Sequence, residues 1–206
     1  MLMPAKTRPK ASGTIAIPTL EKVAVQVVLR GITPLVSNRF SEDAQKSITD
    51  KIMGNACANT RGARDLDRAA DQSAYKIQVG NREEYAHKSS AVLQAVIAAH
   101  RKGAPYTKKA LELGFRANTE FMPIIGAATV RRDFLKNANG APDLRCRMEY
   151  NPWKAVVEFT LYPRVLSMAW FTQALADAGE LVGIGPQNMR KVFGFGRFVV
   201  ESIEAL

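Results

Sequence analysis

A chain of 206 residues with a hydrophobic fraction of 47% is long enough to bury a core as one domain, or one domain with a large insertion, without metal or disulfide staples. Cys57 and Cys146 are its only cysteines and lack CxxC spacing, which argues against a disulfide framework or a zinc site and makes a reducing cytoplasm the expected compartment. The formal charge of +10, from 29 Lys+Arg against 19 Asp+Glu, favours a polyanionic partner, nucleic acid ahead of membrane.

The first residues, MLMPAKTRPKASG, contain no apolar run of signal-peptide length, and no stretch approaches the roughly 18 apolar residues of a membrane span. A soluble protein without a membrane partner is therefore expected. Residues 1–20 carry Lys6, Arg8 and Lys10, with no acid before Glu21, and read as a flexible basic arm. The alternation of EKVAVQVVLRG places Val23, Val25 and Val27 on one face of a strand that Gly31 closes. Ser41 is then a candidate N-cap for SEDAQKSITDKIM, where Glu42 and Asp43 suit the positive end of a helix.

From Gly54 to about Glu84 the sequence is polar, of mixed charge and weakly periodic, so it reads as an insertion or mobile loop. Val92, Leu93, Val96 and Ile97 recur at helical spacing after Ser89 and Ser90, up to Gly103, and YTKKALELG gives a further short helix. Extended segments follow at about 121–135 and 153–162, the second with Ala155, Val157, Phe159 and Leu161 alternating against polar residues. An amphipathic helix capped by Ser167 ends at Gly179, and a last strand spans about 196–204. The strongest elements give the order β-α-β-β-α-β. That is the α+β, ferredoxin-like (RRM-like) order, with a helical insertion at about 54–118 and a glycine-rich loop near the C-terminus, in a single domain over 21–206.

Between the last helix and the last strand lies LVGIGPQNMRKVFGFGRF, with Gly183 and Gly185 before a basic turn and Gly194 and Gly196 after it. A Walker A loop or a dinucleotide fingerprint needs the order strand, glycines, helix, and here the order is reversed. The glycine pattern in this context resembles the glycine-rich loop of the RAMP superfamily, the ferredoxin-like RNA-binding proteins of CRISPR effector backbones and guide-RNA processing. VVLRGITPLVSNRF is similar, more weakly, to the first strand and following loop of backbone subunits. Similar glycine-rich ends also occur in an uncharacterised group of phage-encoded proteins, so a bacterial or phage-infected cell is the setting implied.

The resemblance implies a loop lying against nucleic acid, with Gly183, Gly185, Gly194 and Gly196 allowing close backbone approach and Arg190 and Lys191 meeting phosphate. It also implies additions that reach neighbouring copies along the strand, hence a homo-oligomer or a subunit of a ribonucleoprotein complex. Electrostatics points the same way without the family, because no acid lies between Glu180 and Glu201. A tight turn in which glycines only relieve sterics is the alternative.

Further candidate contacts are Arg197, the clusters Lys108/Lys109, Arg131/Arg132 and Arg145/Arg147, and Arg101/Lys102, with Tyr106, Phe134, Tyr150 and Trp153 near them as stacking surfaces. The expected function is single-stranded nucleic-acid binding, RNA ahead of DNA, without cofactor or metal. Three alternatives are a metal-independent endoribonuclease using His87 or His100 as general base, a phage single-stranded-DNA-binding or recombination protein, and a structural self-assembling protein whose charge is incidental. Asp65, Asp67 and Asp71 cluster, but at the spacing of helix-face salt bridges with Arg61, Arg64 and Arg68.

Overall fold

The computed structural model describes residues 19–55, 65–101, 103–136, 139–140, 142–186 and 194–206. The alternating valines of the first strand form β1 (Val23–Gly31), followed by the two-residue β2 (Leu35–Val36). The Ser41 hydroxyl accepts from the Ala44 N–H and starts α1 (Glu42–Ile52), an exposed helix with no buried residue. Asp65 caps α2 (Leu66–Gln72) by accepting from the N–H groups of Asp67 and Arg68. The hairpin β3 (Tyr75–Val79) and β4 (Arg82–Lys88) comes next, and then α3 (Ser90–Ala99), α4 (Lys108–Gly114) and the short β5 (Phe115–Ala117). Two long strands, β6 (Phe121–Lys136) and β7 (Pro142–Leu161), lead to α5 (Met168–Leu181) and β8 (Phe198–Ala205).

These elements make an α+β structure with one antiparallel sheet in the order β3-β4-β6-β7-β1-β8, while β2 and β5 both pair with β7. Eight strands, rather than the four expected, therefore belong to the sheet. One face of its central strands is the core: Val25, Val27 and Leu29 of β1 and Ala155, Val157, Phe159 and Leu161 of β7 are buried under α3 and α5, which pack on each other. Phe115, Phe159 and Phe171 meet edge to face with centroids 5.0–5.9 Å apart. On the opposite face Ala24, Gln26, Val28 and Arg30 lie beside Thr160, Glu158, Val156 and Lys154, and none of these is buried.

The stretch 54–84 departs from the loop expected of it. Its described part, from Asp65 on, forms α2, β3 and the start of β4, with a two-residue turn at Gly80 and Asn81. Periodicity is weak because the hairpin stands at the sheet edge, where both faces of β3 keep contact with solvent. The helix after Ser89 also stops earlier than expected, at Ala99 rather than near Gly103. None of the helices, among the described residues, is long and apolar enough to cross a membrane.

Candidate nucleic-acid interface

The glycine segment begins where α5 unwinds: the N–H groups of Val182 and Gly183 both reach the Ala178 carbonyl, at 3.0 and 2.8 Å. Gly183, Gly185, Gly194 and Gly196 then all have positive φ, at 76°, 91°, 51° and 71°. Two of them need it most. A Cβ on Gly196 would strike the Ile184 carbonyl, and one on Gly183 would lie 2.8 Å from the Gly196 carbonyl. The close approach that glycine permits at these two positions is thus of one backbone to another: Ile184 N–H donates to the Gly196 carbonyl at 2.9 Å, and Gly196 N–H to the Pro34 carbonyl at 2.7 Å.

Thr33, which no sequence signal singles out, ties this base together. Its hydroxyl donates to the Gly194 carbonyl at 2.8 Å and accepts from the Arg197 N–H at 2.9 Å, while its own carbonyl accepts from the buried Trp153 indole at 2.8 Å. The residues after segment 187–193 are therefore held by the β1–β2 corner, and Ile184 before it is held by Gly196. Arg190 and Lys191 fall within that segment and lie outside the described residues.

The other candidate cations are distributed unevenly. On one face of the outer β6–β7 hairpin, Arg131 stands opposite Arg147 and Asp133 opposite Arg145. Arg131 reaches Asp133 at 2.8 Å and Glu149 at 2.7 Å, Arg147 reaches Asp133 at 3.2 Å, and Arg145 reaches Asp143 at 3.0 Å. The Arg131 guanidinium also lies 4.7 Å from the centre of the Phe195 ring, which joins the hairpin to the glycine segment. Arg147 is only 6% exposed and donates to Asn38 Oδ1 at 3.1 Å, so it is a buried structural cation and not an open phosphate contact. Burial lowers its pKa and the Asp133 carboxylate works against that.

Arg197 pairs with the Glu180 carboxylate and donates to the Glu180 carbonyl at 3.0 Å, strapping the loop base to the end of α5. Arg132 lies 3.5 Å from Asp67 on the other face of the hairpin. Lys108 and Lys109 open α4, which packs on α3 and β5, and Lys109 lies 3.3 Å from Glu112. The structure therefore joins Arg131 and Arg147, with Phe195, in one network matched by Asp133 and Glu149, while Arg145 on the same face is matched by Asp143.

Of the aromatics expected to stack on bases, Tyr106, Tyr150 and Trp153 are buried in the core, and only Phe134, 83% exposed, is open to solvent. Trp153 continues the inward alternation of Ala155, Val157 and Phe159, whereas Tyr150 follows Cys146 and Met148, and a register shift in the β6–β7 pairing between them changes the phase so that both sets point inward. His87 is buried rather than on the surface, with its ring edge-on to Tyr75 at 6.1 Å. His100 lies past the end of α3, not on its polar side, with Nε2 3.0 Å from the Tyr106 carbonyl. Asp65 is a helix cap and Asp71 pairs with Lys76 at 2.9 Å. No group of three metal-ligating side chains occurs among the described residues.

The charge itself is segregated. Segments 1–18, 56–64 and 187–193, with Lys102, hold Lys6, Arg8, Lys10, Arg61, Arg64, Lys102, Arg190 and Lys191 and none of the 19 acidic residues, so the described part of the chain is close to balanced. No protein-family model matches the chain, and no curated protein matches it.

Proposed function

We propose that the protein binds single-stranded nucleic acid, RNA the expected strand, as a RAMP-like subunit with a ferredoxin-like core. The observation that carries this reading is the pinned base of segment 187–193. The Ile184–Gly196 and Gly196–Pro34 backbone hydrogen bonds and Thr33 hold the residues that flank it, and Arg190 and Lys191 stand between those anchors in a stretch of sequence with no acid between Glu180 and Glu201. A pre-anchored loop loses less conformational entropy on binding than a free one.

The ferredoxin-like reading draws support from the strand order. In the run β6-β7-β1-β8, β1 and β6 are parallel to each other with β7 between them, and β7 and β8 are parallel with β1 between them. Two interleaved split β-α-β units have this arrangement, with α3 and α5 as the covering helices. On this view the β3–β4 hairpin, β2 and β5 are additions to the four-stranded unit. Fold does not assign function, so the test falls on the loop.

Replacing Arg190 and Lys191 by Ala together should weaken binding to unrelated single strands alike and make the slope of log K against log salt shallower by about 1 to 2 units. Fluorescence anisotropy across a salt series reads both. Unchanged affinity and slope would remove the loop from the interface.

A further inference from the structure

We propose that the cavity of about 420 Å³ between the β2–α1 connection and the β3–β4–β6 end of the sheet is a nucleotide subsite, taking one unstacked base with its phosphate. The proposal rests on the single-strand reading above and gives it a second contact, away from the glycine loop. The volume falls within the roughly 300–1,000 Å³ of sites that enclose small ligands.

Aromatic surface is the first argument. Phe40 is 65% exposed, although the segment that presents it is fixed: Ser37 N–H donates to the Met148 carbonyl at 2.9 Å, Arg39 N–H to the Ser73 carbonyl at 2.8 Å, and the Phe40 carbonyl accepts from Gln45 at 2.8 Å. A large apolar ring held in solvent by three backbone anchors has no role in the core. Across the cavity Tyr75 and Phe121 form a tilted pair, 5.6 Å between centroids. Exposed and half-buried rings on both sides of a cleft are what an unstacked base needs.

Charge and hydrogen-bonding capacity agree. The Lys88 ammonium stands 5.6 Å from the centre of the Tyr75 ring, and no carboxylate among the described residues forms an ion pair with it. Lys76, by contrast, is held by Asp71 and Glu83 at 2.9 and 3.1 Å. Arg39 has only a long, solvent-exposed pair with Glu42, at 3.6 Å, which a phosphate can displace. Phosphate contact therefore falls to Lys88 and Arg39. Asn38 spends its Oδ1 on Arg147, which leaves its amide N–H groups to donate, and Glu120, the one carboxylate among the described lining residues, can accept from an exocyclic amino group.

The same chemistry could be presented by a strand or by a free mononucleotide, and the experiment separates them. Full-length wild type, Phe40→Ala, Phe40→Trp and Lys88→Gln are titrated with a labelled single strand of about twelve nucleotides and with a labelled mononucleotide. Both altered residues are exposed, and matched thermal unfolding checks that each variant is folded. Phe40→Ala should weaken strand binding roughly five- to hundredfold, Phe40→Trp should restore it, and Lys88→Gln should reduce the salt slope by about 1. Mononucleotide binding lost in the same two variants would also support the site and assign the free nucleotide as occupant. If wild type binds the strand, and Phe40→Ala and Lys88→Gln bind both the strand and the mononucleotide as wild type does, the cavity is overturned while the loop reading stands. Wild type that binds neither ligand overturns both.

Discussion

At Gly196 a methyl group has nowhere to go, since φ is +71° and the ideal Cβ position overlaps the Ile184 carbonyl, which is backbone and cannot swing aside. Gly194 differs: φ is +51°, but the nearest atom to its Cβ is the Arg197 Cδ methylene, a side-chain and not a backbone atom, at 3.3 Å. Gly196→Ala should therefore cost more than about 2 kcal/mol and Gly194→Ala about 1 kcal/mol, read from denaturant unfolding. Equal losses would mean that the loop base is not the close-packed junction described. His87 gives a pH signature at the same scale. Burial pushes its pKa below the ordinary 6.5, opposed by a contact of Nδ1 with the Lys88 carbonyl and assisted by the Lys88 charge. Below pH 6.5 the unfolded chain takes up a proton that folded His87 resists, so stability should fall as pH drops through that value, by up to about 1.4 kcal/mol per pH unit. Unfolding of His87→Gln between pH 7 and 5 should show a flatter profile than wild type; parallel profiles would assign the acid sensitivity elsewhere.

The outer half of the β6–β7 hairpin is an element held by paired charge as much as by its ladder. Arg147 has Asp133 and Asn38 as partners, while Asp133 also holds Arg131. Removing the acid strands a buried guanidinium, whereas replacing the guanidinium by an apolar chain of similar length does not strand Asp133. Asp133→Ala should cost about 3 kcal/mol and Arg147→Met less than about 1 kcal/mol, a contrast that chemical denaturation of the two variants measures directly. Partners of this kind explain what the sequence could and could not reveal. β1, α5 and α1 were legible from period and cap, with Ser41 and Ser167 both accepting from helix N–H groups. The basic clusters were legible only as composition, because Arg131, Arg197 and Lys154 are matched by Glu149, Glu180 and Glu201, carboxylates 17 or more residues away. The β3–β4 hairpin lacked alternation, and its one local signal was the Gly80-Asn81 turn, with Gly80 at φ +61°. The cleft lined by Phe40, Tyr75, Lys88 and Phe121 had none, since the β3–β4 and β4–β6 pairings bring the last three together and the Arg39–Ser73 backbone hydrogen bond brings Phe40 beside them.

For the whole molecule, the segregation of charge decides where a polyanion gains most. Ten cations of the described part, Arg131, Arg147 and Arg197 among them, form ion pairs with carboxylates, so a polyanion meeting those has to break the pairs, whereas Lys6, Arg8, Lys10, Arg190 and Lys191 lie in stretches of sequence without acids. A single strand gives a slope change of about 0.7 per phosphate neutralised. Removing residues 1–18 should accordingly flatten the salt dependence by up to about 2 units. Combined with the Arg190→Ala and Lys191→Ala pair, the truncation should add its effect to theirs, since under the proposed function the two segments would meet separate phosphates. Anisotropy titrations of the truncated, the doubly substituted and the combined protein at four salt concentrations give the three slopes. A combined protein that keeps the wild-type slope would place the phosphate contacts on the folded body instead, at exposed cations such as Lys108, Arg132 and Arg145.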